Sequence, residues 1–263
     1  MQALDRYGLV DDSSPEIRTV LVVEDEPVLL DTYASMIRTH LPGCHVLRAE
    51  DGDDAVEVIR RRQPDLVVLD LLMPRMSGFE VLEAMRDLET TRHIPVIVLT
   101  GQTLTERDIS RLNQGVGAIL SKGVFSVEET VAHIEAALSG AVGLGSEAQR
   151  FARQAIAYVH TRFAEPISSA HIAKHLNIHQ NHLIRCFREQ LGITPMTYLR
   201  RWRVKQAQRL LETTDQSVTE VALGTGFSSQ SYFSRVFREE VGLTPTAYRR
   251  RCRRGAQGPV HPA

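Results

Sequence analysis

In the first half of the chain, short apolar runs rich in β-branched residues alternate with longer stretches whose apolar positions recur every three or four residues. The runs at 19–23, 45–49, 66–70, 96–100 and 118–121 predict five strands. The intervening stretches predict helices near 28–39, 53–62, 77–88, 105–114 and 127–138. A run such as Leu66-Val67-Val68-Leu69 is apolar on both faces, as a strand covered by crossover helices must be, so the reading is an α/β unit around a parallel sheet. The pattern stops at 139–146, which holds three glycines and no charge and reads as a linker.

Beyond the linker, helical periodicity with short turns predicts an all-α region that contains an internal repeat. Arg185-Cys186-Phe187-Arg188-Glu189, Gly192-Ile193-Thr194-Pro195 and Tyr198 recur fifty positions later as Arg235-Val236-Phe237-Arg238-Glu239, Gly242-Leu243-Thr244-Pro245 and Tyr248. Upstream, Ile172-Ala173 answers Val221-Ala222 at an offset of 49, so one turn has gained a residue. Each copy reads as a helix-turn-helix: helices at 169–176 and 179–190 around Asn177-Ile178, and at 218–225 and 229–240 around Gly226-Phe227. Leu183 with Phe187, and Phe233 with Phe237, stand four apart and mark the buried face of each second helix.

Length and charge sharpen this division. A chain of 263 residues accommodates two ordinary domains. Residues 1–145 carry 13 Lys/Arg against 24 Asp/Glu, net −11, whereas residues 146–263 carry 18 against 8, net +10. An acidic module joined to a nucleic-acid binder accounts for the split; mutual packing of two oppositely charged halves also does. The expected boundaries are a first domain at 18–140, a linker at 139–147, a second domain at 148–251 and tails at 1–17 and 252–263. Cys44, Cys186 and Cys252 match no disulfide or zinc framework, and no export signal or membrane span is apparent, so a reduced cytoplasmic setting is expected.

In an open parallel sheet the chemistry sits beyond the carboxyl ends of the strands. Those ends carry Glu24-Asp25, Asp70, Thr100 and Ser121-Lys122. Clustered carboxylates repel one another unless a cation intervenes, and an all-oxygen donor set suits Mg²⁺; the plainer alternative is a solvated acidic rim bridged to Lys122.

These residues, with the stretch Asp70-Leu71-Leu72-Met73-Pro74-Arg75-Met76-Ser77-Gly78, resemble the receiver domain of two-component response regulators over about residues 18–140. The resemblance implies a flavodoxin-like, doubly wound sheet of five parallel strands. It implies Asp70 as phosphoacceptor, Mg²⁺ held by Glu24, Asp25, Asp70 and the Leu72 carbonyl, and Thr100 and Lys122 as phosphoryl-binding and switch residues. The family usually has an aromatic switch residue where this chain has Ile119, and a proline where it has Gly123. Leu72 occupies a position from which a polar side chain could orient an attacking water, so slow self-dephosphorylation is expected unless Gln102 compensates.

On the polar faces of the second helices stand Gln180, Asn181, His182 and Arg185 in one copy and Gln230, Ser231, Ser234 and Arg235 in the other. Amides and guanidinium groups can pair with adenine and guanine edges. The stretch from Gly226 to Arg238, followed by Gly242-Leu243-Thr244-Pro245 and Tyr248, resembles the AraC-type DNA-binding domain over about residues 148–251. That likeness implies two helix-turn-helix units on a shared central helix at about 195–211, with Arg203, Ala207 and Leu210 matching it. The units would enter successive major grooves about one turn, roughly 34 Å, apart. Arg188, Arg200, Arg201, Arg238, Arg249 and Arg250 are candidates for phosphate contact or plain solvation.

The expected function is a phosphorelay response regulator and sequence-specific transcription regulator. Its partners would be a sensor histidine kinase or phosphotransfer protein, a double-stranded DNA operator, a second copy of the chain and RNA polymerase, with no membrane. The alternative is a phosphorylation-independent DNA-binding regulator whose receiver serves as a dimerisation or interaction scaffold. An aspartate-nucleophile phosphatase needs a second aspartate two positions on, where Leu72 stands, so no enzyme is expected. His171, His175, His179, His182 and Cys186 have metal-like spacing, but the turn after Leu176 takes them off a common face.

Overall fold

A computed structural model describes residues 18–113, 115–140 and 146–256. The expected tail at 1–17, Gln114, the linker centre at 141–145 and residues 257–263 lie outside them. In the first half, β1 (Arg18–Val23), β2 (Cys44–Ala49), β3 (Leu66–Leu69), β4 (Val96–Thr100) and β5 (Val116–Ser121) form one parallel sheet in the order β2-β1-β3-β4-β5. They alternate with α1 (Pro27–His40), α2 (Gly52–Arg62), α3 (Gly78–Asp87), α4 (Glu106–Leu112) and α5 (Val127–Leu138). β1, β3 and β4 run through the middle and are buried at nearly every position, as their unbroken apolar runs require.

Three of the boundaries that differ from the pattern reading do so for a local reason. Ser77 and Thr105 are N-caps rather than helical residues: each hydroxyl accepts from the backbone N–H three residues on, while an acid at that position reaches back to the cap. β5 begins at Val116 instead of 118, because Val96 pairs with Val116 and Ile97 with Ala118, which leaves a bulge at Gly117.

The second half is helical throughout: α6 (Glu147–Arg162), α7 (Ser169–His175), α8 (Gln180–Leu191), α9 (Pro195–Thr213), α10 (Val218–Gly224), α11 (Gln230–Val241) and α12 (Pro245–Ala256). α12 runs past residue 251, into the stretch expected to be a tail. The helix-turn-helix turns sit at Asn177, with φ 54°, and Gly226, with φ 83°. Asparagine and glycine are the residues that tolerate this left-handed region, so Asn177 performs the turn that Gly226 performs in the second copy. A Cβ at Gly226 would also lie 2.7 Å from the Phe163 carbonyl, which the Arg203 guanidinium clasps at 2.8 Å from its Nε. No helix among the described residues is long and apolar enough to cross a membrane.

The hydrophobic core is not divided at the expected linker. One continuous cluster runs from the sheet through α6, α7 and α8 to Tyr198 and Trp202 of α9; a separate cluster under α10, α11 and α12 belongs to the second helix-turn-helix unit. α6 makes the connection. Its Gln149 amide donates to the Gly117 carbonyl at 2.9 Å, and its Arg153 guanidinium donates to the carbonyls of Leu112 and Val116. His160 is buried between the sheet and α9, stacked on Trp202 with ring centroids 3.6 Å apart. Polar contacts flank the junction, an ion pair of Arg201 with Glu129 at 2.8 Å and a hydrogen bond between His175 Nε2 and Glu106 Oε1 at 2.9 Å.

Burial pushes the His160 pKa down from 6.5 to about 3. The unfolded chain therefore takes up a proton here below about 6.5 and the folded chain does not, so stability is full above that value and is lost as the pH falls toward 3. Between about pH 7.5 and about pH 5.5 this ring is expected to cost ~1 kcal/mol, read as the part of the urea-unfolding pH slope that His160→Gln abolishes.

Candidate functional site

The acidic site is assembled where the strands end. Asp70 follows β3, and its backbone N–H still donates to the Val23 carbonyl at 3.0 Å, which carries the sheet register one residue past the strand. Its Oδ1 accepts from the Leu71 N–H at 2.7 Å, and its Oδ2 accepts from Lys122 Nζ at 2.7 Å. The same ammonium donates to Glu24 Oε2 at 2.6 Å. Glu24 and Asp70 are buried, 3% and 6% exposed, and Asp25 is the most open of the three acids.

Two opposing influences act on these charges. Burial raises the Glu24 pKa, and its hydrogen bond to Lys122 only partly offsets this. For Lys122, burial lowers the pKa, but hydrogen bonds to Asp70 and Glu24 outweigh it and the net shift is upward. The lysine thus stays charged between two carboxylates that would otherwise repel each other.

Carboxylate oxygens of Glu24, Asp25 and Asp70 lie within 4.8 Å of one another, the sole cluster of this kind among the described residues. Hard oxygen donors at this spacing fit Mg²⁺. Thr100, fully buried at the end of β4, accepts from the Gln102 N–H at 3.1 Å, and its carbonyl accepts from the Lys122 N–H at 2.8 Å. The loop after Asp70 folds back closely enough that a Cβ at Gly78 would lie 2.1 Å from the Asp70 carbonyl. This is why glycine occupies that position.

The structure therefore brings Glu24, Asp25, Asp70 and Lys122 together and sets Thr100 on the adjoining strand. Leu72 stands at the rim, 56% exposed. Ile119 is buried in the sheet, paired with Val98, and presents no polar group. Gly123 has φ 77°, a value closed to proline, and Lys205 of α9 packs against it.

The second helices of the two helix-turn-helix units are α8 and α11. Gln180, Asn181 and Arg185 are exposed on the first, and Gln230, Ser231 and Arg235 on the second, with Ser234 half-buried. His182 turns away from that face: its ring meets Phe151 of α6 edge-on at 5.5 Å, and its nitrogens contact Arg185 at 3.0 Å and Cys186 at 3.4 Å. Gln230 Oε1 accepts from the Thr219 hydroxyl at 2.7 Å, which orients the amide with its NH₂ outward. Among the outlying basic residues, Arg188, Arg238 and Arg250 are exposed, whereas Arg200 pairs with Glu240, Arg201 with Glu129, and Arg249 donates to the carbonyls of Leu211 and Gln216. His175 and His182 are engaged by protein groups and His179 caps α8, which accounts for three members of the metal-like histidine run.

Sequence reasoning missed the residues that join the halves: Gln149, Arg153 and His160 on α6, and Tyr198 and Trp202 on α9. A signal was present in Ala155-Ile156-Ala157-Tyr158-Val159, an apolar run too long for a helix wet on one side.

Residues 20–135 match the family model for the response regulator receiver domain, and residues 172–251 match a helix-turn-helix domain. PilH of Pseudomonas aeruginosa is 34% identical over 122 residues, which is 46% of this chain and 98% of PilH. The chain belongs to the response regulators. This response regulator joins a receiver domain to an AraC-type helix-turn-helix domain. It is also 38% identical over 133 residues to TcrX of Mycobacterium tuberculosis, described as a probable transcriptional regulatory protein, covering 50% of this chain and 55% of TcrX. The solved C-terminal domain of AraT, a response regulator from Geobacillus stearothermophilus, is 30% identical, covering 40% of this chain and 88% of that one, with a TM-score of 0.39. The chain spans about half the length, or less, of several curated relatives that it matches.

Replacing Lys122 by methionine leaves Glu24 and Asp70 buried side by side without their shared cation. We expect Lys122→Met to destabilise the protein by about 3 kcal/mol at neutral pH in metal-free buffer, measured by urea unfolding.

Proposed function

We propose that this response regulator accepts a phosphoryl group on Asp70 and, under its control, binds a double-stranded DNA operator as a sequence-specific transcription regulator. The observation that carries the reading is the placement of the Asp70 carboxylate against Lys122 Nζ at 2.7 Å, beside Glu24, in a chain that also displays two equivalent reading helices. The donor is a phosphohistidine on a sensor kinase or phosphotransfer protein. An Asp70 carboxylate oxygen forms the new P–O bond as the donor's P–N bond breaks, and the imidazole leaves with the electron pair.

Glu24, Asp25, Asp70 and the Leu72 carbonyl would hold Mg²⁺, which when bound offsets negative charge on the phosphoryl oxygens. Lys122 releases Asp70 Oδ2 and binds a phosphoryl oxygen instead, and the Thr100 hydroxyl donates to another. Glu24 keeps its bond to the ammonium and holds it in place. α8 and α11 would read base edges through Asn181, Arg185, Gln230 and Arg235, with Gln180, Ser231 and Ser234 beside them and exposed arginines on phosphates. His182 acts through Arg185 rather than on a base. A second copy of the chain and RNA polymerase are the further partners of such a regulator, and all of this chemistry belongs in the cytoplasm.

The shared core of receiver and first helix-turn-helix unit also favours a second reading, in which the receiver is a permanent scaffold for the DNA-binding half. Incubation with acetyl phosphate and Mg²⁺ separates the two. The first reading expects a mass increase of one phosphoryl group in the wild-type chain and none in Asp70→Asn, together with a changed affinity for DNA selected from a random pool. An unlabelled wild-type chain would leave only the scaffold.

Leu72 offers an attacking water no hydrogen-bond partner. The aspartyl phosphate should persist, and Leu72→Asn should shorten its lifetime by at least about 10-fold in a dephosphorylation time course. An unchanged lifetime would remove this role.

A further inference from the structure

Three buried polar side chains, from three separated stretches of the chain, meet just beneath the acceptor end of the sheet. They are Ser121 at the end of β5, His160 on α6 and Tyr198 on α9, each almost wholly removed from solvent. The hydrogen bonds run in a defined direction. The Leu104 N–H donates to His160 Nδ1 at 2.9 Å, so that nitrogen carries no proton and the neutral ring carries its proton on Nε2. Nε2–H donates to the Tyr198 hydroxyl at 2.8 Å, and that hydroxyl donates to Ser121 Oγ at 2.7 Å. Trp202, one turn along α9 from Tyr198, stacks on the same imidazole at 3.6 Å with the planes 13° apart.

The receiver groups at the two ends of this chain of bonds are not arbitrary ones. Ser121 immediately precedes Lys122, the residue that grips Asp70 and Glu24, and it pairs in register with Thr100. Leu104 lies on the loop that leaves Thr100. The ends of β4 and β5, which carry Thr100 and lead into Lys122, are thus bonded to α6 and α9, and α9 is the helix on which both helix-turn-helix units are built. In a dry, close-packed junction a hydrogen bond is either made or lost, because no water enters to replace it.

Resting on the reading of Asp70 as phosphoacceptor, we propose that the Leu104–His160–Tyr198–Ser121 network is the joint through which the charge state of Asp70 reaches the DNA-binding helices. When Lys122 and Thr100 re-form their bonds around a phosphoryl group, Ser121 and Leu104 move with them. The network holds one arrangement and releases the other, which shifts α9, and with it the two reading helices, between two packings. Tyr198 is a positioning residue in this scheme. It touches neither the phosphoryl group nor DNA.

The test uses the full chain as wild type, Tyr198→Phe and Asp70→Asn, with acetyl phosphate and Mg²⁺ as the phosphodonor. Label on Asp70 is followed by intact mass, DNA affinity by titration of a duplex selected with the wild-type protein, and the junction by emission of Trp202, the one tryptophan of the chain. In the wild type, label should change the DNA affinity by about 10-fold and alter Trp202 emission. Tyr198→Phe, which keeps the ring and removes only the hydroxyl, should take up label to the same extent. Its labelled and unlabelled affinities should agree within about 2-fold, and its Trp202 emission should not respond. His160→Phe cuts the same network from α6 and should behave alike, which covers a failure of the first variant to fold. A labelled Tyr198→Phe chain with the wild-type affinity ratio overturns the joint alone, as does a labelled wild type with unchanged affinity. A wild type that takes no label overturns the acceptor reading and the joint with it.

Discussion

The Lys122 ammonium, lodged between Glu24 and Asp70 at 2.6 and 2.7 Å, is the interaction on which the receiver end of this protein depends. Three strands deliver these groups, and the sheet places carboxylates side by side that water would keep apart. Burial raises the Glu24 pKa, and the lysine hydrogen bond limits the rise. The ammonium is itself kept charged by the two acids against its own burial. Each group thus supplies what makes the other tolerable at a buried strand edge.

That strand edge is continuous with the rest of the molecule. The hydrophobic core passes from the sheet through α6 into the first helix-turn-helix unit, while the second unit stands on its own cluster and is held by α9 and by the Arg203 clasp on the Phe163 carbonyl. The opposed net charges of the two halves are used partly for this docking, in Arg201 with Glu129. They are also left partly free, in exposed Arg188, Arg238 and Arg250. The packing explanation of the charge split is thus realised on Arg201 and Glu129, and the exposed arginines remain for the other.

Departures from the family pattern acquire physical reasons in this context. Gly123 stands where proline is usual because its backbone has φ 77° and Lys205 packs against it. Asn177 stands where the second copy has Gly226, at a turn that asparagine can also make. Ile119 fills the sheet interior, and the aromatic hydroxyl nearest to the strand-five end comes from Tyr198 of the other half.

The five strands, the helices between them, the repeat and the acidic residues were all legible in the sequence, because local periodicity and the strand-end rule need no knowledge of distant partners. The same holds for the stripe of Leu183 with Phe187 and of Phe233 with Phe237, which the structure buries completely. What periodicity could not assign was the orientation of single side chains: His182 lies on the polar face of α8 by register, yet its ring turns toward Phe151. Nor could it reveal that Arg153 and His160 face inward, since polar residues on a helix read as solvated until a second surface covers them. By itself the sequence determined the two modules and the residues that carry their candidate chemistry, whereas only the tertiary structure decided how they join. The reason is that the joint is made of contacts between residues tens of positions apart, Ser121 and Tyr198 among them, and such contacts leave no period in the chain.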